Sequence, residues 1–435
     1  MRPRESKLEL TDEKQVRTTE EDVESELMAW GRRRLLQALG GVAGLTVLGL
    51  PEGEAIEVVR AQSDKNNQWI QQQKLTANDG DSNDSFGQSV SVSDDGTTAL
   101  VAAFEDEDPN GEKAGSAYVF TKSGGNWSQQ QKLSASDGDV DDGFGVSVSL
   151  SADGATALIG AADIDERDDI EAPGSVYVFT ESGKSWSRQQ KLTPDSSTMG
   201  DSFGRAVSVS DDGTTALIGG SGTNSAYIFT ESGGSWSQQQ KLTPTDGAGS
   251  SLFGNSVSLS DGGTTALIGA FGSAFIFTKS GGRWDQQQKL TTANGSQVNF
   301  GSVSIANEGA IAFLGALSDE NQNGDRAGSV YVFTKSGKSW SQQQKLNAND
   351  GDTADNFGRA VSVSDNGTTV FIGADGDENQ NGGLAGSVYV FTESGGSWSQ
   401  QQKLSATNGG STAFFGRSVS VSDDGTTVLI GAPFA

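Results

Sequence analysis

FGQSVSVSDDGTTALVAA at residues 86–103 and GSAYVFTKSGGNWSQQQKL at residues 115–133 decide how this chain folds. In the first stretch Ser89-Val90-Ser91-Val92-Ser93 alternates with period two, Asp94-Asp95-Gly96 is a turn, and Thr97 to Ala103 is a second strand-forming run. In the second stretch Gly115 to Thr121 is a third strand, Ser123-Gly124-Gly125 a hairpin, and Trp127 to Leu133 a fourth strand. Four short strands joined in this way pair antiparallel in sequence order. Small Ser and Val on the first strand suit a crowded axis, and the Gln-rich fourth strand suits a solvated outer edge that must not invite aggregation.

The unit recurs along the chain. Trp-x-(Gln/Arg)-Gln-Gln-Lys-Leu begins at Trp69, Trp127, Trp186, Trp236, Trp284, Trp340 and Trp398, with spacings of 58, 59, 50, 48, 56 and 58 residues. Phe-Gly pairs at Phe86, Phe144, Phe203, Phe253, Phe300, Phe357 and Phe415 interleave with it. A period near 55 is the length of one four-stranded blade, so the expected fold is all-β, a seven-bladed β-propeller of four-stranded antiparallel blades. The seventh blade is expected to be incomplete, because the unit opening at Phe415 ends at Ala435, just after its second strand. Trp69 to Leu75 should close the ring as its fourth strand. Val58 to Ser63 align by spacing with the missing third strand, but Arg60 and Gln62 then fall where Tyr118 and Phe120 sit in the first unit. A gap implies a truncated C-terminus or a strand donated by a partner.

Composition removes most chemistry. The 435 residues include 57 acidic and 30 basic side chains, no Cys and no His. Without these two residues there is no thiolate nucleophile, no disulfide and none of the commonest general bases and transition-metal ligands. Residues 1–61 hold 9 basic and 12 acidic groups, which leaves 21 basic and 45 acidic in the remainder, a net charge of −24. Such a surface repels nucleic acid and anionic membranes, and its self-repulsion calls for screening salt. A halophilic protein is the simplest reading; a surface that gathers divalent cations is compatible with it.

Residues 1–61 form a separate region. Met1 to Trp30 is polar and mixed in charge, and Arg32-Arg33-Arg34 then precede an apolar run from Leu35 to Leu50. Paired arginines before such a run have the form of a twin-arginine export signal. The run is shorter than the roughly 20 residues a membrane helix needs. Small-residue cleavage sites end at Ala55 and Ala61, and the second gives a propeller domain of residues 62–435 with no stable membrane span. The expected location is therefore secreted or cell-surface.

Phe203-Gly204 followed by Ile218-Gly219, and Phe415-Gly416 followed by Ile430-Gly431-Ala432-Pro433, resemble the FG-GAP repeat of integrin α-subunit propellers and their prokaryotic, haloarchaeal-type secreted relatives. The resemblance covers Trp69 to Ala435 and implies an extracellular ligand-binding or adhesion module, often calcium-dependent. The Asp-rich metal loop of integrin-type repeats is missing: turns such as Asp94-Asp95-Gly96 and Asp211-Asp212-Gly213 offer too few oxygens.

Three loops between second and third strands match the first six positions of a calcium loop, where alternate side chains supply oxygen and Gly permits the sharp turn. Their candidate ligands are Asp106, Asp108 and Asn110; Asp319, Asn321 and Asn323; and Asp377, Asn379 and Asn381. Position twelve is Ala117, Val330 or Val388, so no distal acid completes the shell. The same residues also suit ordinary turns made acidic by salt adaptation. No cofactor is therefore required, and calcium, bound weakly, is the one candidate the pattern admits.

Carboxylate pairs such as Asp141 and Asp142 could run glycosidase chemistry, but most acidic residues recur from blade to blade, whereas catalysis needs one unique constellation. The expected function is a non-enzymatic binding or adhesion module with an extracellular protein or glycan as partner and no nucleic acid. A structural cell-envelope component and a polysaccharide-active enzyme are the alternatives. The connections from fourth to first and from second to third strands should share one face, and that face should carry ligand or cation.

Overall fold

A computed structural model describes residues 55–61, 68–81, 83–107, 111, 113–138, 142–162, 173–196, 200–245, 251–292, 301–306, 308–407 and 409–434. The export-signal motif lies outside the described residues. Among those described, no helix is long and apolar enough to cross a membrane.

Six blades come from consecutive strands, over Phe86–Leu133, Phe144–Leu192, Phe203–Leu242, Ser256–Leu290, Ser302–Leu346 and Val361–Leu404. Each is a four-stranded antiparallel sheet with its strands in sequence order. The four strands read from residues 86–133 are all present: the second and fourth agree with the observed bounds to within one residue, the first begins three residues earlier, at Phe86, and the third runs two residues further, to Ser123. The second and third strands carry the core: Leu100, Val101, Tyr118 and Val119 of blade one are fully buried, and the other five blades of consecutive strands repeat this pattern.

The two glycines of the repeat are explained by one contact. Gly254 of the Phe-Gly pair has φ +92°, which other residues rarely adopt, and a Cβ on Gly219 of the preceding blade would lie 2.0 Å from its carbonyl oxygen. Blades therefore pack backbone to backbone at this point. The same contact closes the ring, where a Cβ on Gly431 would lie 2.0 Å from Gly87 O.

Serines on the first strands link neighbouring blades around the axis. Ser420 Oγ accepts from Val92 N, Ser91 Oγ from Leu150 N, and Ser149 Oγ from Val209 N. The Ser-Val alternation thus supplies partners for backbone N–H groups that the sheet leaves unpaired.

At the outer edge, the last Gln of each Gln-rich strand clamps the next blade. Gln73 Nε2 donates to Trp127 O and its Oε1 accepts from Trp127 N, both at 2.9 Å. Gln131 with Trp186, Gln190 with Trp236, Gln240 with Trp284, Gln288 with Trp340 and Gln344 with Trp398 repeat the pair. Gln402 with Trp69 completes the circle. These glutamines are joints between blades as well as a polar edge.

The seventh sheet takes only Val419–Val421 and Thr427–Ala432 from the C-terminal unit, two strands as expected. The gap expected beside them is corrected by the N-terminal segment: Ala55–Ala61 pairs antiparallel with Thr427–Ala432 on one side and with Trp69–Leu75 on the other. No donated strand is needed for that pairing. Its register is that of a third strand, with Ala55 opposite Ala432 as Ser387 is opposite Ala374 in blade six. Val58 and Val59 bracket the same bulge that falls between Val390 and Phe391. Spacing from Trp69 misplaced the strand because Ala61 pairs with Trp69 itself, across a connection longer than the tight hairpins of the other blades. Ala55–Ala61 also lies before residue 62, so the propeller sheet starts within the segment that the sequence assigns to the export signal.

Candidate functional site at the two mouths of the axis

Both kinds of long connection occupy one face. Lys132, at the end of the fourth strand of blade one, reaches Asp79 of the preceding fourth-to-first connection at 2.9 Å and Asp106 of a second-to-third loop at 2.8 Å. Lys403 does the same with Asp350 and Asp377, both at 2.9 Å. The lysine also lies over the third-strand aromatic ring, 5.3 Å from the centroid of Tyr118 and of Tyr389. Burial opposes the charge of Lys132, yet its hydrogen bonds with Asp106, Asp79 and Tyr118 raise its pKa above the ordinary lysine value. Blade four has Phe275 in place of tyrosine, and Lys289 packs over that ring.

This network engages the candidate calcium loops. Asp319 accepts from Tyr331 Oη and pairs with Lys345, each at 2.8 Å. Asp377 accepts from Tyr389 Oη at 2.9 Å and from Ser387 Oγ at 2.7 Å, in addition to Lys403. Asn321 Nδ2 donates to Gly328 O while its Oδ1 accepts from Asn323 N, and Asn323 Nδ2 donates to Ala348 O. Asn379 and Asn381 repeat these contacts with Gly386 and Ala406. Each loop is thereby pinned to its own blade and to the next connection. Asp106 joins Lys132 in the same manner, whereas Asp108 and Asn110, like Asp141, lie outside the described residues.

Carboxylates of a different origin do converge. The turns between first and second strands meet around the axis on the opposite face, linked by Asp94 N to Ala152 O, Ala152 N to Asp211 O and Asp211 N to Asp261 O, each 3.1 Å. Carboxylate oxygens of Asp94, Asp211 and Asp423 all lie within 4.8 Å of one another. Burial, then the neighbouring Asp423, pushes Asp94 up to about 8; burial, then Asp365, pushes Asp261 up to about 8. Burial and the charges of Asp423 and Asp365 raise Asp211 to about 6. This mouth holds protons near neutral pH, and it has the oxygen donors that a hard cation such as calcium requires. A single Asp-Asp-Gly turn offers too few oxygens, but the topology pools turns from several blades. The signal was available as the recurrence of Asp at one position, in Asp94, Asp211, Asp261, Asp365 and Asp423.

The mouth on the loop face has the opposite character. The residue following each Phe-Gly pair is Gln88, Val146, Arg205, Asn255, Ser302, Arg359 or Arg417. Arg417 Nη1 lies 3.0 Å and Arg359 Nε 3.5 Å from Oδ2 of the buried Asp375. Asp375 Oδ1 accepts from Asn356 Nδ2 at 3.1 Å, and Arg417 Nε donates to Gln88 Oε1 at 3.2 Å. Burial, then the charge of Arg417, lowers the pKa of Arg359, with Arg205 adding repulsion from across the axis. Asp occupies its position in one blade alone: the residues corresponding to Asp375 are Phe104, Ala162, Ser221, Phe271, Leu317 and Pro433.

The propeller architecture is shared with solved structures. The periplasmic gluconolactonase of Pseudomonas aeruginosa is 16% identical, with a TM-score of 0.53 over 82% of this chain and 97% of that one. A candidate 6-phosphogluconolactonase from Bacteroides uniformis is 10% identical, with a TM-score of 0.54 over 82% of this chain and 98% of that one. At these identities the likeness shows the fold alone. Among curated proteins none matches the chain in sequence. The model of the FG-GAP repeat matches seven times, at residues 69–120, 127–179, 186–229, 236–282, 284–333, 340–391 and 398–435. Its two signature glycines are those that let adjacent blades touch, and the chain belongs to the FG-GAP repeat family.

Proposed function

We propose that this chain is a non-enzymatic binding module, exported to the cell surface or medium, which takes an extracellular protein or glycan ligand on its loop face at the mouth of the axis. One observation carries the reading: the polar residues common to all blades serve blade joints and loop anchors, whereas Arg205, Arg359, Arg417 and Asp375, present in only some of the blades, gather at that mouth. Ligands of a repeat scaffold are recognised where the repeats differ, because identical blades present identical chemistry. The absence of His and Cys from the sequence favours binding over catalysis. The acidic composition further suits a salty medium.

The test is a glycan array and a pull-down from envelope extract with the full chain at high salt, repeated with Phe271→Asp, which alters an exposed residue of the loop face. Retained ligand that the variant loses supports the reading. Turnover of the ligand, such as release of reducing sugar, or binding indifferent to the loop face, refutes it.

A further inference from the structure

We propose that the mouth of the axis on the loop face is an oxyanion site, in which Arg205, Arg359 and Arg417 hold a carboxylate, sulfate or phosphate group of the ligand. The proposal rests on the loop-face reading above and names the chemistry recognised there.

Placement is the first argument. Residues 62–435 contain seven arginines, and three of them occupy the same register position, directly after Phe-Gly, in blades three, six and seven. The other four blades place Gln, Val, Asn and Ser there. First strands line the axis and begin at the loop face, so this shared position brings side chains from the adjacent blades six and seven and from the distant blade three to one opening.

Charge balance is the second. Two guanidiniums, Arg359 and Arg417, meet one carboxylate, Asp375, and Arg205 lies near enough to repel Arg359, so positive charge exceeds that carboxylate at the mouth of a domain whose net charge is −24. Neutralising Asp375 alone needs a single arginine. Gathering like charges is unfavourable unless an anion joins them, and a positive mouth in an acidic protein focuses anions to one place.

Donor geometry is the third. Arg359 uses Nε on Asp375, and Arg417 uses Nη1 on Asp375 and Nε on Gln88, so the carboxylate fixes both guanidiniums while further N–H donors of each remain. The Arg205 side chain is exposed and makes no hydrogen bond or ion pair with any described residue; only its backbone N–H is bonded, to Ser202 O. Fixed forks beside an adaptable one suit the planar, multidentate contacts that arginine makes with carboxylate, sulfate and phosphate. On blade four Phe271 holds the register position of Asp375 and is 40% exposed, as is Leu252, offering apolar surface for the body of the ligand.

The experiment is calorimetric titration of the full chain, at fixed ionic strength, with sodium sulfate, inorganic phosphate and D-glucuronate, using D-glucose as the neutral control. Wild type should bind at least one of the anions and not glucose, and the responding anion identifies the source of the oxyanion. Arg205→Gln should weaken that binding about ten-fold or more without changing the melting temperature, since its side chain is exposed. Arg359→Lys, which keeps charge but loses the fork, should weaken it less than Arg359→Gln. Failure of all three anions to bind, or equal affinity in Arg205→Gln, overturns the site. A neutral glycan bound at the loop face equally by wild type and Arg205→Gln removes the oxyanion site but leaves the proposed function standing. A loop face that binds nothing removes both.

Discussion

Gln402→Ala removes the clamp that joins the last blade formed by consecutive strands to the N-terminal Trp69. Gln402 Nε2 donates to Trp69 O and its Oε1 accepts from Trp69 N, each at 2.8 Å, so two hydrogen bonds are lost and a part-buried backbone N–H is left without its partner. At about 1 kcal/mol per net hydrogen bond, with an added penalty for the orphaned donor, the expected loss is roughly 2–3 kcal/mol. Gln401→Ala is the control, because among the described residues Gln401 Nε2 reaches only Ser399 of its own strand; it should stay within about 0.5 kcal/mol of wild type. Urea unfolding at fixed salt, followed by tryptophan fluorescence, reads both. A Gln402→Ala protein as stable as the control would show that the glutamine circle is a crowd of surface amides and does not hold the ring.

Gly431→Ala places a Cβ 2.0 Å from Gly87 O and should cost about 3 kcal/mol or more in urea unfolding, because backbone cannot yield as a side chain can; a neutral substitution would contradict the contact. Lys403→Met strips the cationic partner from Asp377, whose side chain is 3% exposed, and should destabilise by about 3 kcal/mol, with Asp377→Asn in the same chain restoring part of the loss; no restoration would argue against the pair. The axis carboxylates predict a pH dependence. With folded pKa values of about 8 for Asp94 and Asp261 against 3.8 for an unperturbed Asp, the unfolded chain gives up these protons first, so stability falls as pH rises through the window from about 4 to 8. The melting temperature should therefore rise on acidification from pH 8 to pH 5, less so in Asp94→Asn, and an identical slope in that variant would refute the assignment. Millimolar calcium at pH 8 should raise the melting temperature through the cluster of Asp94, Asp211 and Asp423, an increase that Asp94→Asn/Asp423→Asn abolishes; no increase in wild type would remove calcium from the account.

The blade was legible because its cues are local: Ser-Val alternation, Asp-Asp-Gly turns and the Gly-Gly hairpin each fix a few residues of backbone. The loop face was legible through topology, and Lys132 bridging Asp79 and Asp106 bears it out. What stayed hidden was relational. The role of Gln131 depends on Trp186 in the next blade, and the third strand at Ala55–Ala61 depends on a longer connection that spacing from Trp69 could not anticipate. The loops chosen for calcium satisfied a local pattern, yet Lys345 and Tyr331 already hold Asp319. Arg205, Arg359 and Arg417 were visible in the sequence only by lining up the repeats and asking where they differ.

The most direct test of the account is hydrogen exchange on the full chain with and without the ligand recovered from envelope extract. Protection should appear at Phe357–Arg359, Phe415–Arg417, Phe203–Arg205 and the loop that begins at Asp375, where the non-repeated residues meet. Protection confined to the Asp94, Asp211 and Asp423 turns, or to the Gln-rich outer strands, would contradict it.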